Sequence, residues 1–217
     1  MKTILCYGES NTHGFVPAVG TRFPRDVRWT GRMAAALGAD YTVIEEGLNG
    51  RTTALDDPLD FEETKNGRRL LPAILHTHAP LDLILIMLGT NDLKSRFQVS
   101  AYEIAKAHAR LGELAQRLTA QDNPDGKPAQ ILLVSPILVG PGMADTSAFR
   151  FEFGQRAVDL SHELAGYVAE FAAENGFHFF DASKVAAPCQ ADSLHLDANG
   201  HAALAEALTQ KVRQILA

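Results

Sequence analysis

Two short segments near opposite ends of the chain carry side chains that could do covalent chemistry. Ser10 follows the hydrophobic segment Lys2–Tyr7 in the tight polar turn Gly8-Glu9-Ser10-Asn11, and Asp192-Ser193-Leu194-His195 places a carboxylate three residues before a histidine. A serine at the C-terminal tip of a first strand lies where open α/β sheets bind ligands, and the carboxylate could orient the imidazole from one short loop. These residues predict acyl transfer through a serine nucleophile.

The elements that must position these residues alternate between strand and helix. Apolar runs of strand length occur at Ile4–Tyr7, Tyr41–Glu46, Leu83–Leu88, Ile131–Ser135 and His178–Asp181. Longer segments with helical spacing separate them, which predicts β-α-β-α alternation. Runs such as Asp82–Leu88 are apolar on both faces, as expected for parallel strands covered by helices on either side. We therefore expect an α/β fold with a central, parallel, five-stranded sheet.

Hydrophobic stripes predict five helices, at Trp29–Leu37, Leu70–Thr77, Ala101–Ala120, Phe151–Asn175 and Ala198–Leu216. Ser100 is expected to cap the third of them, with Glu103 at the capping-box position, and Asp197 precedes the last. The segments Asn11–Asp26 and Pro136–Arg150 fit neither pattern. Long loops in a compact domain are usually functional, as lids, pocket walls or subunit contacts.

Polar residues follow each predicted strand. In a parallel sheet the C-terminal ends of all strands point to one edge, so these residues should converge there. They are Ser10, Gly47, Gly89-Thr90-Asn91-Asp92, Ser135-Pro136 and the segment leading to Asp192 and His195. Acyl transfer needs a nucleophile, a base, a group that orients the base and donors for the developing oxyanion, and these turns offer each of them.

Four of these sequence segments resemble the four sequence blocks of the SGNH (GDSL) hydrolase superfamily in order and in spacing. They are Gly8-Glu9-Ser10, Gly47, Gly89-Thr90-Asn91-Asp92 and Asp192-Ser193-Leu194-His195. Within this superfamily, the segments 26–31, 44–53 and 81–94 are similar to the arylesterase and acyltransferase branch, which a mycobacterial acyltransferase typifies. The resemblance covers nearly the whole chain. It implies a three-layer α/β/α sandwich of the flavodoxin-like SGNH type.

The resemblance also implies roles for individual residues. Ser10 is the expected nucleophile, His195 the general base and then the general acid, and Asp192 the group that orients the histidine. The expected oxyanion hole consists of the backbone N–H groups of Ser10 and Gly47 and the side-chain amide of Asn91. A glycine lets backbone approach the substrate closely, and an asparagine amide donates without carrying a charge.

Two positions depart from the family pattern. The first block normally reads Gly-Asp-Ser, whereas Glu9, one methylene longer, stands before the nucleophile in this chain. His13 occupies a place where relatives often carry an aromatic residue. The nucleophile is retained, but we expect different hydrogen bonds within the turn and a different polarity of the acyl pocket.

Each of these residues has an alternative, structural interpretation. Ser10 could be an ordinary turn residue, Asn91-Asp92 could cap a helix, and Asp192 could be an N-cap or a loop carboxylate. The convergence of four blocks favours the catalytic interpretation.

Other kinds of site are not expected. His76 and His78, even with Asp56, Asp57 or Asp60, do not make a convincing metal site. The turn at Gly8 lacks the phosphate-loop lysine and is not a dinucleotide motif. We therefore expect neither a metal nor a cofactor, and Cys6, on a buried strand, is a poor nucleophile candidate.

Length and composition limit the remaining possibilities. The chain has 217 residues, 46% of them hydrophobic and 21% charged, without a linker-like tract, which predicts a single domain over residues 1–217. A net charge of −6 argues against nonspecific nucleic-acid or membrane partners. Cys6 and Cys189 show no metal-ligand spacing, and the N-terminus reads as a strand rather than a leader, so we expect a cytoplasmic protein.

The predicted function is hydrolysis of small acyl or aryl esters through an acyl-serine intermediate, with water or an alcohol as the acyl acceptor. A carbohydrate O-acetyl esterase is an alternative within the same chemistry. A non-catalytic binding or assembly module, in which Glu9 has distorted the turn, is an alternative from another class. The segments Phe15–Arg25 and Pro136–Arg150 resemble those that form subunit contacts in the acyltransferase branch, so we expect a homo-oligomer.

Overall fold

A computed structural model describes residues 1–61 and 64–217 of the chain. In this part of the chain one five-stranded sheet has the order β2-β1-β3-β4-β5, and all of its pairs are parallel. This is the flavodoxin-like order. The strands are β1 (Lys2–Gly8), β2 (Tyr41–Gly47), β3 (Leu83–Met87), β4 (Gln130–Ser135) and β5 (His178–Asp181).

Helices cover both faces of the sheet, because its central strands are apolar on both sides; every residue of β3 is buried. The helices are α1 (Ser10–His13), α2 (Trp29–Leu37), α3 (Gly67–His78), α4 (Ala101–Asp122), α5 (Gly154–Glu174) and α6 (Ala198–Leu216). One core cluster joins α3, α4 and α5 to one face of the sheet, and a second joins α2 and α6 to the other. The predicted three-layer α/β/α sandwich is confirmed.

The strand register brings the carboxyl ends of β1, β2 and β3 to one level. Gly8, the last residue of β1, is paired with Gly47 on one side and with Met87 on the other. The turns that carry Ser10 and Asn91 follow directly after these paired ends. The sheet therefore gathers three of the predicted site segments at one edge.

Most predicted elements agree with the structure to within a few residues. The prediction for α5 was wrong at its start, because the helix begins at Gly154 rather than at Phe151. The carbonyl oxygen of Glu152 accepts hydrogen bonds from the backbone N–H and the hydroxyl of Ser95, at 2.7 and 2.9 Å. These two hydrogen bonds hold the residues just before Gly154 in a turn that is separate from α5. The short helix α1 was missed, since Asn11–Asp26 was expected to be irregular throughout.

The capping box predicted at the start of α4 is present. The Ser100 hydroxyl accepts the Glu103 N–H at 3.2 Å, and the Glu103 carboxylate accepts the Ser100 N–H at 2.8 Å. Asn66 starts α3 earlier than predicted, because its side-chain oxygen accepts the Arg69 N–H at 3.3 Å. Among the helices of the described residues, none combines the length and the apolar character that a membrane crossing requires.

Candidate active site

Ser10 lies at the first turn after β1. Glu9 is the N-cap of α1, with its carboxylate accepting the Asn11 N–H at 3.1 Å, so the chain turns sharply from strand to helix at the serine. A Cβ at Gly8 would lie 2.1 Å from Thr12 Oγ1, which explains why glycine ends the strand. The turn is regular, and Ser10 is 5% exposed.

The structure brings Ser10, His195 and Asp192 together, although the serine and the histidine are 185 positions apart in the sequence. Ser10 Oγ lies 2.9 Å from His195 Nε2, and His195 Nδ1 lies 2.8 Å from Asp192 Oδ2. Asp192 Oδ1 accepts the backbone N–H groups of Leu194 and His195 at 3.0 and 2.9 Å. The carboxylate is thus fixed by the same short loop whose imidazole it orients.

The charge of Asp192 is stabilised where it lies. Burial raises the pKa of this carboxyl, but the hydrogen bonds and charge of His195 and the N–H of Leu194 outweigh burial and hold the pKa below its ordinary value. An ionised Asp192 can accept a hydrogen bond from the Nδ1–H group of the imidazole. The lone pair on Nε2 then faces Ser10.

Asn11 ties the serine turn to the histidine loop. Its side-chain oxygen accepts the Leu196 N–H at 2.8 Å, and its amide donates to the Leu194 carbonyl at 3.4 Å. These two bonds hold the backbone on both sides of His195. Sequence reasoning missed this residue, because nothing in the local pattern reports partners more than 180 residues away.

The segment Pro136–Arg150 supports the histidine loop from the other side. The Gly140 N–H donates to the Ser193 carbonyl at 2.8 Å, and the Ser147 hydroxyl donates to the Asp192 carbonyl at 2.6 Å. Ser193 itself adopts a left-handed backbone, with φ at 60°. The segment Pro136–Arg150, which sequence analysis left without secondary structure, therefore holds the backbone of the loop that carries Asp192 and His195.

Two aromatic rings flank the imidazole of His195. The ring centroid of Phe15 lies 4.3 Å from that of His195, and Phe149 approaches it edge-on at 5.7 Å. Each phenylalanine comes from one of the two segments that sequence analysis left without secondary structure. The prediction that these long segments are functional pointed to the right regions but not to these residues.

Gly47 lies at the end of β2, in contact with α1. A Cβ at this position would lie 2.2 Å from the backbone nitrogen of His13, closer than real Cβ atoms come to other atoms. His13 Nδ1 lies 3.3 Å from the Gly47 carbonyl oxygen, so a proton on this nitrogen can be donated to it. Only glycine lets the strand end and the helix after Ser10 pack this closely.

Asn91 begins a short 3₁₀ turn after β3, at the third strand end of this edge. Its side-chain amide donates one hydrogen bond, to the Arg51 carbonyl at 3.2 Å. The neighbouring Asp92 is fully buried and accepts the Thr53 N–H and hydroxyl. These contacts join the loop after β3 to the loop that follows Gly47 at the end of β2.

A buried cation lies beneath this edge of the sheet. This cation is Arg51, which is 2% exposed. Its guanidinium donates hydrogen bonds to the Gly8 carbonyl, at 2.9 Å, and to the Glu46 carbonyl. The guanidinium carbon lies 4.1 Å from the ring centroid of Tyr7. Burial lowers the pKa of Arg51 and outweighs the opposite effect of the Tyr7 phenol and the nearby glutamate carboxylates, which raise this pKa. The guanidinium brings positive charge to the strand ends from which Ser10 and Gly47 project.

Several other chemically capable residues lie in structural contacts. Burial lowers the pKa of His108 and of His201 to about 4, so both are neutral. His76 pairs with Asp122, and His78 with Glu46. Within residues 1–61 and 64–217, no group of three or more potential ligand residues could hold a metal ion. Burial strongly raises the pKa of the Cys6 thiol, which makes it a poor nucleophile.

Solved structures similar to this one include an aryl esterase and carbohydrate acetylesterases. The M. smegmatis aryl esterase shares 39% identity, with a TM-score of 0.91 over 99% of this chain and 100% of its own. Est24, a carbohydrate acetylesterase from Sinorhizobium meliloti, shares 38%, with a TM-score of 0.92 over 99% and 100%. A second S. meliloti carbohydrate acetylesterase family member shares 42%, with a TM-score of 0.91 over 100% and 99%.

The fold and these similarities define a carboxylic ester hydrolase. The sequence profile of the GDSL-like lipase/acylhydrolase family matches residues 6–203, and the chain belongs to this family. Among curated proteins, no match to the chain was found. The resemblance drawn from the sequence blocks is confirmed, and the alternative of a non-catalytic module receives no support from these comparisons.

Proposed function

We propose that the protein is a serine esterase that hydrolyses small acyl and aryl esters through an acyl-Ser10 intermediate. The observation that carries this proposal is the aligned series of contacts from Ser10 Oγ to His195 Nε2 and from His195 Nδ1 to Asp192. Such a series is what activates a hydroxyl that is a weak nucleophile on its own. The three residues that make it are 2–5% exposed, which keeps bulk water from the contacts.

In the proposed mechanism His195 Nε2 takes the Ser10 proton while Oγ attacks the ester carbonyl. The imidazolium that forms is stabilised by Asp192 and then gives the proton to the leaving alcohol. Water repeats the sequence on the acyl-enzyme. His195 accepts a proton from the attacking water and returns one to Ser10 Oγ as the acid leaves.

The oxyanion would be bound by the Ser10 and Gly47 N–H groups and by the Asn91 amide. The register that places Gly47 beside Gly8 and the turn that starts at Asn91 support this assignment. Removal of one such donor typically costs ~10²–10³ in rate. The buried charge of Arg51 would add a favourable field at the same strand ends.

Small substrates fit a confined site. Ser10, His195 and Asn91 are 4–5% exposed, and Phe15 and Phe149 pack around the imidazole. Such a site favours short acyl groups and a small or planar leaving group. Because an apolar wall limits access of water, an alcohol can compete for the acyl-enzyme, and we include transesterification in the proposal.

Carbohydrate O-acetyl esterase activity is the second candidate, favoured by the two similar S. meliloti proteins. A cavity of about 410 Å³ lies between the loops after β2 and β3 and the start of α5. Its lining includes Asp57, Lys94, Arg96 and Glu152, which form ion pairs with one another, and none of the proposed catalytic residues. Turnover of acetylated sugars above that of aryl acetates would favour this candidate.

The proposal is tested by p-nitrophenyl acetate turnover in the native protein and in Ser10→Ala and His195→Ala. Circular dichroism checks that each variant is folded. We expect both variants to lose nearly all activity. Labelling by a fluorophosphonate should disappear in Ser10→Ala, which lacks the reactive oxygen, and should slow strongly in His195→Ala, which lacks the base. A folded Ser10→Ala variant as active as the native protein would reject Ser10 as the nucleophile.

Two further properties belong to the proposal. Homo-oligomerisation is supported by the exposed apolar residues Val19 and Phe151, 67% and 84% exposed, in or beside the two irregular segments. Light scattering that gives the mass of one chain would contradict it. A cytoplasmic location is proposed from the two free thiols, Cys6 and Cys189, and cell fractionation tests it.

A further inference from the structure

The hydroxyl of Ser10 has two hydrogen-bond acceptors within reach. Glu9 Oε2 lies 2.6 Å from Ser10 Oγ, and His195 Nε2 lies 2.9 Å from it. A hydroxyl carries one proton and can donate it in one direction at a time. An ionised carboxylate is the stronger acceptor, and 2.6 Å is the length expected for an O–H···O⁻ bond.

Glu9 is fixed in this position. It is fully buried, and the atom that accepts from Ser10 also accepts the Asn11 N–H at 3.1 Å, as the N-cap of α1. The buried Arg51 guanidinium lies close enough to Glu9 for the two charges to interact, and this interaction raises the pKa of Arg51. The carboxylate therefore cannot leave the hydroxyl without breaking the cap of the turn that carries the nucleophile.

We propose that Glu9 is a second acceptor for the Ser10 proton and competes with His195 for it. This inference rests on the proposed role of Ser10 as nucleophile. In the resting enzyme the hydroxyl donates to Glu9, and acylation begins only after the O–H has turned towards His195. Glu9 thereby slows the first half of the reaction.

The proton balance restricts this effect to acylation. When Oγ attacks, the proton moves to His195 Nε2, the Oγ–carbon bond forms and the carbonyl electron pair moves to the oxyanion. As the bond to the leaving oxygen breaks, Nε2 gives the proton to it, and Glu9 is unchanged. In the acyl-enzyme Oγ is esterified and has no proton, so no competition exists when water attacks.

Two substitutions remove the competition by different routes. Glu9→Asp keeps a carboxylate that can cap α1 but shortens its reach towards Ser10 Oγ by one methylene. Glu9→Gln keeps the length but removes the charge, and its amide can donate to Oγ, which leaves the serine proton for His195. Asp181→Asn is the matched control, since Asp181 caps another short helical turn by accepting the Ser183 N–H at 3.0 Å.

Rapid-mixing kinetics with p-nitrophenyl acetate separate the burst of acylation from steady-state deacylation. We expect both Glu9 variants to acylate about tenfold faster, because a charge-assisted hydrogen bond no longer holds the proton. Deacylation should stay within about twofold of native. Fluorophosphonate labelling of Ser10 should accelerate in parallel, and Asp181→Asn should change neither step.

Unchanged or slower acylation in both folded variants would overturn the proposal. A parallel fall of both steps together with a lower melting temperature would also overturn it, since Glu9 would then act only as a cap. A native protein that is not labelled at Ser10 at all would instead reject the proposed function. The two failures are thus distinguishable.

Discussion

The imidazole of His195 packs against the ring of Phe15, with centroids 4.3 Å apart and planes inclined by 33°. The Phe15 ring restricts the imidazole on a face that the contacts to Ser10 and Asp192 leave free. It also places an apolar group beside His195. In the proposed mechanism, Phe15 should therefore affect both the orientation of the base and the access of water to it.

Phe15→Ala should shift the products of the reaction in an aqueous alcohol mixture. With the wall removed, water reaches the acyl-enzyme more easily, so the ratio of transesterification to hydrolysis should fall by several-fold. Product analysis by chromatography measures this ratio. Phe61→Ala is the control, because Phe61 is 95% exposed and should leave the ratio unchanged. Equal ratios in Phe15→Ala and native protein would exclude Phe15 as a barrier to water.

Asn91→Ala should fold normally and turn over p-nitrophenyl acetate ~10²–10³ times more slowly, since the proposed oxyanion hole loses one of its donors. The loss should be in kcat rather than in KM, because the donor acts mainly on the transition state. Steady-state kinetics measure both constants. A rise in KM with native kcat would show that Asn91 binds substrate without stabilising the oxyanion.

Asn11→Ala should lower kcat by about tenfold to a hundredfold, because the backbone on both sides of His195 loses its bonds to the serine turn. Stability should fall by about 1–3 kcal/mol, since the Leu196 N–H loses its partner. Ser100→Ala removes a helix cap outside the site, with a loss of about 1 kcal/mol, and should keep native kcat. If destabilisation alone lowered activity, the two variants would lose activity in proportion to their stability.

Gly47→Ala should reduce both stability and activity, because the added Cβ would lie 2.2 Å from the His13 nitrogen and force β2 and α1 apart. We expect a loss of about 1–3 kcal/mol in urea unfolding, the usual cost of overpacking. Gly166→Ala, at a helical site with no atom within 4 Å of the added Cβ, should instead be neutral or stabilising. A native-like Gly47→Ala enzyme would contradict the close packing seen at this strand end.

Asp92 should make stability depend on pH. Burial raises its pKa from the ordinary value of 3.8 to about 7, although its bonds to Thr53 oppose the shift. A raised carboxyl pKa means that the folded state binds the proton more tightly than the unfolded state. The contribution of Asp92 to the free energy of unfolding is therefore largest below pH 3.8 and decreases as the pH rises towards about 7.

Comparison with Asp92→Asn isolates this contribution. Between pH 3.8 and about 7, the free energy of unfolding of the native protein should fall relative to that of the variant by up to about 1.4 kcal/mol per pH unit. Urea unfolding at a series of pH values measures the difference. Parallel stability curves for the two proteins would show that Asp92 has an ordinary pKa.

The sequence predicted the sheet and most helices, because their signals are local. The run Leu83–Met87 is apolar on both faces, and the stripe of α4 repeats with helical period. Ser10, Gly47, Asn91, Asp192 and His195 could be proposed because each follows a strand or precedes the last helix in a recognisable block.

What the sequence could not predict depends on contacts between distant segments. Asn11 holds the His195 loop, and Phe15 and Phe149 pack on the imidazole, but no periodicity marks these partners. The start of α5 was misplaced for the same reason, since Ser95 holds the preceding turn. The contact of Glu9 with the nucleophile required coordinates, although its departure from the family pattern was visible.

The distance along the chain between Ser10 and His195 also determines when the site can form. All five strands precede residue 182, whereas the loop with Asp192 and His195 and the helix α6 follow it. During synthesis the sheet can assemble while the base is still absent, and a chain that stops before residue 195 carries a hydroxyl with no imidazole to activate it. In the proposed mechanism, esterase activity should therefore appear only when the C-terminal segment docks, and its recovery should report the completion of folding rather than the formation of the sheet.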